Sequence, residues 1–143
     1  MRWDMPTMKR ILTSHRSCEF PWKNIWKVKV PFKVAFFCWV VSLGKVLTTE
    51  NLRRRGMYIA NCCVMCKKDG ESVNHLSLHC EAIYLWKEVL NRTGFLWVMP
   101  KEVVDLLVGW KGLKGSKNAV HVWKIIPSCL MCCLWLERNG RCF

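Results

Sequence analysis

The chain has 143 residues, with 23 Lys and Arg against 10 Asp and Glu, and a formal net charge of +13. An apolar share of 52% beside 23% charged residues is a globular balance, which excludes a disordered chain, and the length suits one ordinary domain. No stretch of about 18 residues escapes charge, so no membrane span is expected. Arg2, Asp4, Lys9, Arg10 and Arg16 break up any apolar leader. Ten cysteines in such a chain point to a reducing compartment, nucleus or cytoplasm, where metal binding fits better than a disulfide framework.

The charge is uneven. Residues 1–60 hold 12 Lys and Arg and three acids, residues 61–100 hold four of each, and residues 101–143 hold seven and three. Such an excess favours RNA or DNA through phosphate contacts and counterion release, without sequence preference. The plainer reading is that the lysines and arginines keep a Trp-rich surface soluble.

In chain order, residues 1–19 lack periodicity and read as a loose lead-in. Trp22, Ile25 and Trp26 then fall on one face of a short helix, with Pro21 suited to its first turn. Residues 32–43 are almost continuously apolar and read as a buried core helix stopped by Gly44; a base-stacking platform would need its aromatics exposed and interleaved with polar residues. In the next segment Thr48 can cap a short helix, Glu50 complements its positive end, and Arg53, Arg54 and Arg55 complement its negative end before Gly56. Ala82, Leu85, Trp86, Val89 and Leu90 predict an amphipathic helix closed by Gly94. Val103, Leu106, Leu107 and Trp110 form a second apolar cluster. Residues 111–118 read as a flexible basic linker, ahead of a last apolar run over residues 120–136.

The chemistry lies in residues 61–80. Cys63-x2-Cys66-x8-His75-x4-Cys80 offers three thiols and one imidazole, and zinc takes four such ligands tetrahedrally. The two-residue gap lets both sulfurs face one metal from a tight turn. Residues 67–70 then reverse the chain, and a short helix brings His75 back. Four protein ligands leave no position for a catalytic water, so the site reads as structural. Lys67 and Lys68 favour the thiolates. Cys62 could replace Cys63 at a three-residue gap, and His79 could compete with His75. Both are better read as neighbours of the ligands or as solvent-facing. Asp69, Glu71, Glu81 and Glu88 balance nearby lysines and read as solvated.

These residues also carry a resemblance. Ile25-Trp26-Lys27, Val30-Pro31-Phe32-Lys33-Val34, Phe36-Phe37-Cys38-Trp39 and residues 47–56 lead into Cys63-x2-Cys66, Glu71-Ser72-Val73-Asn74-His75-Leu76, His79-Cys80 and Trp86. In order and spacing, over residues 20–91, they resemble the zinc-binding domain that follows the reverse transcriptase in plant non-LTR retrotransposons. Trp123-Lys124-Ile125-Ile126-Pro127, Leu134-Trp135-Leu136-Glu137-Arg138-Asn139 and Arg141-Cys142-Phe143 resemble the tail downstream of that domain. The resemblance implies that Cys63, Cys66, His75 and Cys80 are zinc ligands, and that the chain is a fragment of a longer polyprotein.

The expectation is a mainly α fold: a small helical domain over residues 20–94, stapled by one structural Cys3His zinc site, followed by a helical or loosely ordered C-terminal segment over residues 95–143. The expected function is a non-catalytic zinc-binding module with non-specific nucleic-acid contact through Arg53, Arg54, Arg55, Lys67 and Lys68. One rival is an interaction or packing module that makes protein contacts through its Trp-rich faces. The enzymatic rival is a thiol oxidoreductase using Cys63 and Cys66.

Overall fold

Prolines precede the first two helices, where the chain can give up a backbone N–H without losing a helical bond. In the computed structural model, which describes residues 20–80, 84–94, 98–110 and 115–142, Pro21 leads into α1 (Trp22–Trp26) and Pro31 into α2 (Phe32–Ser42). Next come α3 (Thr49–Arg54), a π-helical turn (His75–His79), α4 (Leu85–Thr93), α5 (Val103–Gly109) and α6 (Lys117–Cys142). The described residues contain no strand, so the mainly α expectation holds.

Local signals act where the sequence puts them. Thr48 caps α3, its hydroxyl accepting the Asn51 N–H at 3.4 Å. Gly44, Gly56 and Gly94, read as helix stops, have φ of +67°, +92° and +68°, a left-handed conformation in which a Cβ would be strained. α5 lacks a capping side chain of its own; instead the Asn74 side chain accepts the Val103 N–H at 3.1 Å from far along the chain.

The core lies where α2 and α6 cross, with α1 and α5 packed beside them. Ile25, Cys38, Leu106, Leu107, Trp123 and Met131 are at most 2% exposed there. Trp110 stacks on Trp123 with ring centres 4.4 Å apart and meets Trp86 edge-on at 5.9 Å. This trio explains how α6 tolerates Pro127. A proline has no N–H for the carbonyl four residues back, here that of Trp123. The freed oxygen accepts the Trp110 indole N–H at 2.9 Å, so the carbonyl stays satisfied.

Three expectations need correction. α2 is a core helix on one side only: Ala35, Cys38 and Val41 are buried, whereas Phe32 and Phe36 are 66% and 40% exposed. The linker predicted over residues 111–118 does not extend to its expected end, because Lys117 and Asn118 already belong to α6; its residues 111–114 lie outside the described residues. Finally, α6 is long and apolar enough to cross a membrane by length and composition, with a mean hydropathy of 1.6 over its best 18-residue window. A search for wholly uncharged stretches misses it because Lys124 interrupts the run. Its inner face is occupied by the protein, with Trp123, Pro127, Ser128, Met131, Leu134 and Arg138 buried. The lead-in over residues 1–19, Glu81 and Ala82 lie outside the described residues.

Candidate metal centre

The turn that carries the first two cysteines is set by backbone bonds. Lys67 N–H donates to the Cys63 carbonyl at 2.8 Å, and Cys63 N–H to the Asp69 carbonyl at 2.7 Å. Closing so tight a loop puts Lys67 at φ +58°, the left-handed region that a side chain rarely adopts. The chain returns past Gly70, where the Asn61 side chain lies so close that a Cβ would sit 2.6 Å from its Nδ2. Asn61 Oδ1 then accepts both Glu71 N–H and the Thr49 hydroxyl at 3.2 Å.

His75 and Cys80 are five residues apart. In an α-helix, at about 100° per residue, their side chains would point some 140° apart. The π turn removes that mismatch: Cys80 N–H bonds the His75 carbonyl at 2.8 Å, one residue beyond the α spacing. Ser72 starts the turn by accepting His75 N–H at 3.0 Å. A π insertion of this kind is a common device for redirecting a functional side chain.

The result is a cluster of four donors. The ligand atoms of Cys63, Cys66, His75 and Cys80 all lie within 4.8 Å of one another, the only such metal-capable group among the described residues. Cys63 Sγ and Cys80 Sγ are 3.8 Å apart, and Cys66 Sγ is 3.5 Å from His75 Nε2. A tetrahedral zinc with bonds of about 2.3 Å to sulfur and about 2.0–2.1 Å to nitrogen requires edges of about 3.8 Å and about 3.5 Å. The donor set fits zinc in chemistry and in size. Burial pushes the Cys63 thiol up, whereas the backbone N–H groups of Asp69 and Lys68, with His75 helping, hold Cys66 down at about 6. Cys62 is exposed with its sulfur near its neighbour's carbonyl, and His79 Nε2 lies 3.1 Å from the Lys101 carbonyl; neither joins the cluster.

Beside the cluster is a feature that the sequence reading missed. Glu71, expected to be solvated, is fully buried. Arg138, from the far end of α6, grips it with Nη2 at 2.6 Å and Nε at 3.2 Å, and Thr49 N–H donates to the same carboxylate at 3.0 Å. The guanidinium also lies 4.9 Å over the Trp135 ring. Trp135 in turn packs against both the main core and the small cluster of Cys63, Met65, Leu76 and Cys80. Two segments 67 residues apart are thus clamped together at the metal centre. The one available signal was that Glu71 and Arg138 both stand in the family-like motifs.

The basic residues are placed as follows. Arg53, Arg54 and Arg55 are exposed at the end of α3, and Arg54 pairs with Glu50 at 3.1 Å. Lys67 and Lys68 are exposed on the metal turn. The start of α3 is tied to that turn, since Glu50 N–H donates to the Glu71 carbonyl at 3.1 Å.

Comparison with known proteins agrees with this geometry. Residues 3–86 match the family described as zinc-binding in reverse transcriptase. The chain belongs to this family. Zinc is therefore its metal, and the Cys3His cluster is the group suited to hold it. A protein of Arabidopsis thaliana named "Putative ribonuclease H protein" is 37% identical over 120 residues. That alignment covers 83% of this chain but 19% of the relative, so the chain spans about a fifth of the curated protein it matches. A plant relative agrees with the resemblance to plant retrotransposon sequences. No solved structure matches the chain.

Proposed function

We propose that this zinc-binding domain is non-catalytic, that its ligands are Cys63, Cys66, His75 and Cys80, and that its basic surface holds RNA or DNA without sequence preference. The observation that carries the reading is the spacing of the four donors, which closes a tetrahedron and leaves no position for water or substrate. Bound zinc would supply folding free energy here rather than a nucleophile. Cys63 and Cys66 supply a turn and His75 and Cys80 a π turn, and together these four residues would hold the metal between the two. The acids support the same reading, for Glu71 is engaged by Arg138, while Glu50, Glu88 and Glu137 each pair with an arginine one turn later.

The zinc-binding unit is assigned to residues 20–94 and the tail-like segment to residues 95–143, in a nuclear or cytoplasmic protein. Arg53, Arg54, Arg55, Lys67 and Lys68 are the phosphate contacts of this proposal. The purified protein should contain about one equivalent of zinc; Cys80→Ser should lose it and Cys129→Ser should keep it. Stoichiometric zinc in a Cys66→Ser/Cys80→Ser variant overturns the ligand assignment. Nucleic-acid binding should weaken steeply with salt, and changing Arg53, Arg54 and Arg55 to Ala should flatten that dependence.

One observation favours a second reading, that of an interaction module, although not through the expected Trp-rich faces, because no tryptophan among the described residues is exposed. Tyr58, Val98, Phe32 and Leu136 are all more than 60% exposed, and salt-independent self-association would support it. Turnover of small dithiols would favour the oxidoreductase reading instead.

A further inference from the structure

α2 presents an aromatic surface that the metal centre does not use. Four rings form a closed circuit. Trp26 lies 5.7 Å from Phe32, Phe32 stacks on Phe36 at 6.2 Å and 25°, Phe36 lies 5.5 Å from Trp39, and Trp39 returns to Trp26 at 6.4 Å. Helical periodicity accounts for its position. Ala35, Cys38 and Val41 take the inward face of α2, and the 100° step turns Phe32 and Phe36 outward, with Lys33 beside them. Phe32 and Phe36 are 66% and 40% exposed, far more than aromatic side chains need to be in a chain with this much core.

The charge along the segment that carries this circuit has one sign. Residues 20–49 contain Lys23, Lys27, Lys29, Lys33 and Lys45 and no acid. All five lysines are exposed. Exposed aromatic faces interleaved with cations are the combination that captures unpaired bases, the rings stacking on bases and the ammonium groups following the phosphates. A duplex keeps its bases stacked on one another and offers this surface only phosphates.

We propose that Phe32 and Phe36, framed by Trp26, Trp39, Lys29 and Lys33, form a stacking site for single-stranded nucleic acid. The proposal rests on the nucleic-acid reading above and gives it a strand state and a second location, separate from Arg53–Arg55. RNA and DNA share the stacking chemistry, so both belong in the test.

The test uses the full zinc-loaded chain and fluorescence anisotropy with three probes: a 12-mer of dT, a 12-mer of U and a 12-base-pair DNA duplex. Phe32→Leu/Phe36→Leu keeps apolar bulk but removes the π faces, and should weaken single-strand binding about ten-fold or more, leaving duplex binding unchanged. Phe32→Trp/Phe36→Trp should keep or tighten it, which separates stacking from damage to the fold. A stronger response with dT or with U identifies the preferred strand, and either supports the proposal. Unchanged single-strand binding in the Leu variant overturns it. If Arg53, Arg54 and Arg55 changed to Ala still lower duplex binding in that case, the general nucleic-acid reading survives. Wild-type protein that binds none of the probes at low salt overturns both. Self-association abolished by the Leu variant, with no change in oligonucleotide binding, assigns the surface to a second copy of the chain and likewise overturns the proposal.

Discussion

Arg138→Met removes the guanidinium that neutralises Glu71, leaving a carboxylate with no exposure to water. Methionine keeps much of the stem that packs near Trp135, so the loss is mainly one of charge and hydrogen bonds. Breaking a buried pair from one side costs about 3–5 kcal/mol, against about 0–1 kcal/mol for an exposed pair. Domains of this size are stable by about 5–15 kcal/mol, so the variant should lose about a fifth or more of its stability. Glu71→Gln keeps an oxygen for the Thr49 N–H but strands the arginine. The double variant Glu71→Gln/Arg138→Met strands neither charge, and its loss should fall short of the sum of the singles by about 2–3 kcal/mol. Urea unfolding of the zinc-loaded protein measures these losses, and chelator competition should show zinc leaving more readily from each single variant than from the double. A loss under about 1 kcal/mol for Arg138→Met, or additive singles, would refute the clamp.

Three further outcomes follow from the packing. Trp110→Phe should destabilise by about 1–3 kcal/mol because the Trp123 carbonyl loses its donor, and Pro127→Ala in the same chain should recover part of this by restoring the helical N–H, as thermal unfolding of the wild type, the single variant and the double variant would show. Gly70→Ala should push the Asn61 side chain off Glu71 N–H and the Thr49 hydroxyl, lowering stability by about 1–2 kcal/mol with one zinc still bound; an unchanged Tm would mean Asn61 moves freely. Burial pushes Cys38 up to about 11 from 9.0, so above pH 9 the unfolded chain releases a proton that the fold retains; stability should fall between pH 9 and pH 11 by roughly 2 kcal/mol, and a Cys38→Ala variant should lack that component.

Local features were the most readable from sequence. Caps and stops at Thr48, Gly44, Gly56 and Gly94 depend on residues a few positions away, and each acts as its type predicts. The four donors were also readable, because metal spacing is a local pattern with a tight turn and a short helix in between. What was not readable depends on distant partners. Glu71 looks like any acid in a lysine-rich loop until Arg138 arrives from 67 residues away. The two faces of α2 could not be separated by hydrophobicity, since both are apolar; only the packing of α6 decides that Cys38 goes in and Phe36 stays out. The π turn is a similar case, because an ordinary helix and a π insertion draw on the same residue types.

The clamp also bears on what zinc does for the rest of the chain. Trp135 belongs to both apolar clusters, and Arg138 sits one turn beyond it on α6, so the metal turn and the long helix share a boundary. Phe37 of α2 packs against the same Trp135, at 5.9 Å. A continuous path therefore runs from the cysteines through Trp135 to α2, the helix that carries the aromatic circuit. Loss of the metal would remove the small cluster's staple, and with it one wall of the site in which Trp135 and Arg138 are held. The helix that carries the exposed rings of Phe32 and Phe36 is seated, through Phe37, on the Trp135 that also borders the metal turn. Zinc held by these four donors would thus be tied mechanically to the helix that carries the aromatic circuit.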